Sequence, residues 1–326
     1  MIRAMLAAAL CIGFALHGSA AHAQAQDYPN RPVKIVIPFP PGGPTDGMAR
    51  IIADRLGAVL GKPIVVESHG GGAGGSVGGK YVADADPDGY TLLMTPGGAL
   101  TTGPAVHREF PYDPAKAFVA VCELIESPLI ISVNASLPFK TLGNVVAYAK
   151  ANPGKLNWGS QGIGTAPQLL YELFKLEAGV NIVDVPYRGT APMMVAALAN
   201  EVQIIADPNT TSLPEIRAGK LRPIAIAGAQ RDPQLPDVPT VIEEGFPKLQ
   251  SPFWLGVVAP AGTPMPIVDK LNAAFRQALN DPKSRKSLDQ LGAYVKIGSP
   301  EDFKNMLNSE RALWKGVVQA AHIETQ

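Results

Sequence analysis

Three loops carry the groups best suited to chemistry, and each follows a strand-like run and precedes a helix-like one. The first is Pro38-Phe39-Pro40-Pro41-Gly42-Gly43-Pro44-Thr45-Asp46. Its glycines let backbone approach a ligand, its prolines stiffen the approach, and a helix starting at Thr45 or Asp46 turns free N–H groups toward the loop. Such a helix end binds carboxylate or phosphate without a charged side chain. A capped structural turn, with Thr45 or Asp46 satisfying the helix end, fits the same spacing, and both readings stand. The third loop, Trp158-Gly159-Ser160-Gln161-Gly162-Ile163-Gly164-Thr165, repeats the arrangement, and Ser160, Gln161 and Thr165 add short polar groups. It is not a hydrolase nucleophile elbow, because Gly162 follows Gln161 directly. Asp207, at the end of a strand-like run, adds a polar rim or is an ordinary turn carboxylate; the Asp207-Pro208-Asn209-Thr210 run favours the turn.

The second loop, residues 70–80, holds G-x-G-x-x-G at Gly70, Gly72 and Gly75 and nearly spells a P-loop through Gly74, Gly79 and Lys80. Tyr81 stands where a P-loop needs a magnesium-binding hydroxyl, and Thr95-Pro96 ends the next strand where a dinucleotide site needs an acid. Both nucleotide readings therefore lack a chemical partner. His69, His107 and His322 are not in metal-ligand spacing, and no carboxylate pair stands out as acid and base. No catalytic residue, metal or cofactor is assigned.

These loops need a scaffold, and the chain is long enough for one: 326 residues, 46% hydrophobic and 17% charged, imply a globular chain of more than one domain. Lys plus Arg and Asp plus Glu are both 28, so no net field draws nucleic acid or an anionic membrane. Arg3, an apolar run at residues 5–16 and Ala21-His22-Ala23 read as a secretory signal cut after Ala23. The run is shorter than the roughly 20 residues of a membrane span. Cys122 is then the one cysteine of the mature chain, which leaves no internal disulfide and predicts a buried, inert thiol.

Strand and helix patterns alternate: strands at 33–37, 64–67 and 90–95, with helices at 44–60 and 77–85 between them. Strands at 119–126, 129–134, 157–159, 182–185, 203–206, 221–227 and 254–259 follow. Helices are expected at 142–151, after Pro167, from about Pro192, and over most of 264–321. Two α/β units with parallel sheets account for this order, and ligands of such sheets sit at the carboxyl ends of the strands.

Several segments, taken together and in order, resemble the receptors of tripartite tricarboxylate transporters, the Bug family of periplasmic solute-binding proteins. They are Tyr28-Pro29-x-Arg31-Pro32, the first loop with Asp46, Asp86-Pro87-Asp88-Gly89-Tyr90-Thr91-Leu92-Leu93, and Ala149-Lys150-Ala151-Asn152-Pro153-Gly154-Lys155. Val185-Pro186-Tyr187-Arg188-Gly189, Pro236-Asp237-Val238-Pro239-Thr240 and Ala259-Pro260-Ala261-Gly262-Thr263-Pro264 complete the set. The resemblance implies a two-domain α/β type II periplasmic binding fold (a Venus flytrap), each domain a mostly parallel sheet flanked by helices. The domains would comprise residues 24–130 plus 250–326, and 131–249. It implies a monomeric periplasmic receptor, neither enzyme nor nucleic-acid binder and not inserted in the membrane, that passes a small carboxylate, best a dicarboxylate, to an inner-membrane permease. Carried over, one pincer is Phe39, Pro40, Pro41, Gly42, Gly43, Thr45 and Asp46, and the other is Ser160, Gln161, Gly164 and Thr165. Thr95, Gly97 and Asp207 would shape the far end of the ligand. Many relatives have Asn and Ser at the positions of Gln161 and Ile163 and His at that of Gln168, so the grip carries over and the ligand's identity does not.

Overall fold

A computed structural model describes residues 27–320. The expected signal peptide, its cut after Ala23 and His322 lie outside them. Among the described residues, eleven strands form two sheets. The strands are β1 (Val33–Ile37), β2 (Ile64–Ser68), β3 (Thr91–Thr95), β4 (Phe118–Ser127), β5 (Leu129–Asn134) and β6 (Asn157–Ser160). Then come β7 (Val183–Pro186), β8 (Ile204–Pro208), β9 (Leu221–Ile226), β10 (Phe253–Pro260) and β11 (Tyr294–Val295). The helices that cover them are α1 (Pro44–Leu60), α2 (Ser76–Ala83), α3 (Thr102–Val106), α4 (Pro114–Ala117), α5 (Leu142–Ala151) and α6 (Ala166–Ala178). The rest are α7 (Thr190–Leu198), α8 (Asn209–Arg217), α9 (Met265–Asn280), α10 (Pro282–Gln290) and α11 (Pro300–Ala320).

The first sheet runs β11-β4-β10-β3-β1-β2 and the second β7-β6-β8-β5-β9. Both are mixed rather than mostly parallel. β1 pairs in parallel with β2 and β3, and β6 with β7 and β8, as strand–helix–strand order dictates. β10 lies antiparallel between β3 and β4, and β5 antiparallel between β8 and β9. The antiparallel strands arrive from the long excursions between sheets, which local periodicity does not reveal. The chain leaves the first sheet at Ser127, turns at Pro128 and enters the second at Leu129. It returns between Ile226 and Phe253.

β10 is buried along its whole length, and β1 and β3 nearly so, as strands covered on both faces must be. Cys122 is buried in β4, and burial pushes its thiol far up, out of reach of ionisation. α9 turns Ile267, Val268, Leu271, Phe275 and Leu279 inward at helical spacing, which seats it on the first sheet. Gly256 of β10 sits under the Phe303 ring of α11, where an added Cβ would lie 2.2 Å from the ring. Trp158 of β6 is fully buried, with Tyr171 and Phe174 of α6 at centroid distances of 5.7 and 5.6 Å.

Candidate ligand-binding cleft

The ends of β1, β3, β6 and β7 bring four loops to a cleft between the two lobes. Phe39, Pro40 and Pro41 from the first lobe face Gln161, Arg188 and Gly189 from the second. They form a waist. On one side is a tight chamber of about 40 Å³, completed by Gly43, Pro44, Thr45, Pro96, Thr190 and Phe253. On the other is an open chamber of about 720 Å³ walled by the glycine run 70–75, with His107, Gly162 and Thr165. The tight chamber holds one or two waters at most. A larger solute enters it only if the lobes part.

Three helices begin at this cleft without a side-chain cap. α1 starts after Gly43, α6 after Thr165 and α7 after Gly189, and no side chain accepts from the first-turn amides of any of them. Their free N–H groups and positive dipole ends make the cleft favourable to anions. Thr45 and Asp46 are buried but do not cap α1. Asp46 turns back instead, accepting from the Gly42 amide at 3.1 Å and from Arg50 Nε at 2.9 Å. Burial works against its ionisation, but these contacts outweigh it and hold the carboxyl below the usual range. Asp46 thereby stiffens its own loop. No carboxylate lines either chamber, and Arg188, exposed at the waist, has no ion-pair partner among the described residues.

The remaining sequence-derived residues fall in distinct places. Ser160 is fully buried at the end of β6, and the Thr165 hydroxyl donates to Gly162 O at 2.8 Å. Thr95 is fully buried and donates to Pro96 O, and Gly97 accepts from the Thr101 hydroxyl. Of that turn, Pro96 is the residue that reaches the chamber. The ordinary turn carboxylate expected at Asp207 is not found. Asp207 lies within β8, is completely buried, and is ringed by hydroxyl and amide donors. Oδ1 accepts from Gln161 Nε2 and, at 3.3 Å, from Thr190 Oγ1; Oδ2 accepts from Thr211 Oγ1 and, at 3.5 Å, from Ser212 Oγ. Burial pushes its carboxyl up to about 7 against the pull of those four donors.

The glycine run is a contact between lobes. Gly74 N donates to Ile163 O at 3.0 Å, and beside it the buried Thr102 hydroxyl donates to Gly164 O at 2.7 Å. At Gly74, where φ is +57°, an added Cβ would sit 2.3 Å from Gly98 O and 3.0 Å from Gly164 O. Close backbone approach is what this position requires. Lys80 pairs with Asp84, four residues on, rather than facing a phosphate site. Sequence reasoning missed Arg188, Gly189 and Thr190 as site residues. Their strand–glycine–helix pattern was the available signal, obscured by placing the helix start at Pro192.

Two helix-covered mixed sheets facing each other across a cleft of helix N-termini define a two-lobed binding protein. The family model for the tripartite tricarboxylate transporter family receptor matches residues 48–323. The protein BugT of Bordetella pertussis is 35% identical over 315 residues, covering 96% of each chain. Two solved structures are similarly near. Rpa4515 of R. palustris, with adipate, has a TM-score of 0.87 and 36% identity over 91% of this chain and 99% of that one. MatC of Rhodopseudomonas palustris, with bound malate, has a TM-score of 0.85 and 35% identity over 89% and 100%. This chain belongs to the tripartite tricarboxylate transporter receptor family, a family of receptors and not of enzymes.

Proposed function

We propose that this protein is an exported periplasmic receptor that closes its lobes on a small carboxylate and hands it to a membrane permease. The observation that carries the reading is the cleft itself: three uncapped helix N-termini, an unpaired Arg188 and no lining carboxylate. Adipate and malate in the two related structures make a dicarboxylate the first choice. One carboxylate would meet the amides of Thr45, Asp46 and the 161–165 loop, and Arg188 would meet a second at the waist. No helix among the described residues is long and apolar enough to cross a membrane. We take the lobes to divide at Pro128, where the chain crosses between the sheets, and between Ile226 and Phe253, where it returns, close to the expected boundaries at 130 and 249. The receptor acts as a monomer, with its signal removed after Ala23.

Thermal melting of the mature protein against mono-, di- and tricarboxylates and their neutral amides tests this. An acid at 100 times its Kd adds about 2.7 kcal/mol of stability, and its amide adds none. Equal shifts with acid and amide, or none with any acid, would refute the anion grip.

A further inference from the structure

Asp207 does more than fill a buried position: it fixes which way two cleft-lining side chains face. An ionised carboxylate only accepts hydrogen bonds. Gln161 must therefore turn its amide nitrogen to Asp207, which leaves Oε1 free to accept on a residue that lines the cleft. Thr190 likewise directs its hydroxyl hydrogen to Asp207, which leaves its oxygen lone pairs free to accept on a residue that lines the tight chamber. Among the described residues neither oxygen accepts a hydrogen bond from protein. The second lobe's wall of the tight chamber thus offers acceptors, while the helix N-termini at the waist offer donors.

We propose that Gln161 and Thr190, oriented by Asp207, select a carboxylate whose carbon chain carries a hydrogen-bond donor, a hydroxyl or an amino group, over the unsubstituted acid of the same length. This rests on the carboxylate-receptor reading and deepens it. Closing on a bare methylene would strip Gln161 Oε1 of water and give it no partner, a penalty that translates to about 10-fold or more in Kd. A donor at that carbon replaces the lost water.

The test is isothermal titration at pH 8, where Asp207 is ionised, with matched pairs: succinate and malate, glutarate and glutamate, butyrate and 3-hydroxybutyrate. The neutral amides of each form a separate arm. The substituted member should bind at least 10-fold tighter in one pair or more. In Gln161→Leu, which removes the stranded acceptor, the ratio should fall toward one, chiefly because the unsubstituted acid binds more tightly than it does to wild type. Thr190→Val, nearly isosteric, should compress the same ratio in part and serves if the leucine variant does not fold. Equal or tighter binding of the unsubstituted acid in every pair would overturn the selection even if acids still outbind amides. A preference unchanged in both variants would overturn the assignment to Gln161 and Thr190. Binding of neither acids nor amides would overturn the receptor reading and this inference with it.

Discussion

Thr102→Val separates lobe closure from lobe stability. Thr102 is fully buried, and its hydroxyl reaches across the cleft to Gly164 O at 2.7 Å, beside the Gly74 amide's bond to Ile163 O. Valine keeps the shape and removes the donor. In the closed form Gly164 O then faces a methyl group and has no water in reach. Once the lobes part, solvent satisfies it in wild type and variant alike. The loss therefore falls on the closed state: about 1 kcal/mol for the bond and up to about 2 with the stranded acceptor. Because ligand binding draws on closure, Kd should rise roughly 5- to 30-fold, with only a small change in the unliganded Tm. Titration calorimetry with the tightest acid of the panel measures the first, and small-angle scattering of both forms shows whether the ligand still compacts the molecule. If Kd stays within twofold of wild type while the unliganded Tm drops, the contact persists in both states and is no part of closure.

Other outcomes follow from single contacts. Burial pushes Glu123 up to about 7, with Lys296 pulling down and Glu126 and Glu310 pushing up. A raised carboxylate contributes stability that is full below its ordinary 4.5 and lost as pH rises through about 7. Wild type should thus lose Tm relative to Glu123→Gln between pH 5 and pH 8, and parallel curves would show that Glu123 titrates normally. Gly256→Ala drives a Cβ into the Phe303 ring and should cost about 1–3 kcal/mol in urea unfolding. Adding Phe303→Leu should recover part of that cost; strictly additive losses would mean that the two do not touch.

Local pattern located the elements well where one face alone decides the structure. α1 and α5 run over the residues their periodicity predicts, 44–60 and 142–151, because proline or threonine starts each and the apolar stripe is unbroken. What depended on distant chain was not legible. Asp207-Pro208-Asn209-Thr210 reads as a turn, yet pairing of Asp207 with Ile130 buries it inside β8. The antiparallel β5 and β10 carry no local mark of direction. The glycine run matched nucleotide patterns in letters alone, since what its glycines serve is the approach of Gly98 and Gly164, far along the chain. Thr190 was missed because its helix begins two residues earlier than its proline suggests, and Arg188 because it sits in the short turn between β7 and that helix.

The position of β10 has a consequence for how the polypeptide comes together. β5 to β9 come from one continuous stretch, so the second lobe has all its sheet once residue 226 is available. The first lobe does not: β10 must slot between β3 and β4, whose facing edges stay unpaired until more than a hundred further residues have emerged. Loop closure over that span is slow and exposes sticky strand edges meanwhile. The nascent chain should therefore pass through a half-built stage, second lobe formed and first lobe gaping, in which a chaperone that shields strand edges has most to protect. A chain ending before Phe253 should aggregate through its half-built first lobe, and supplying residues 253–320 in trans should rescue it.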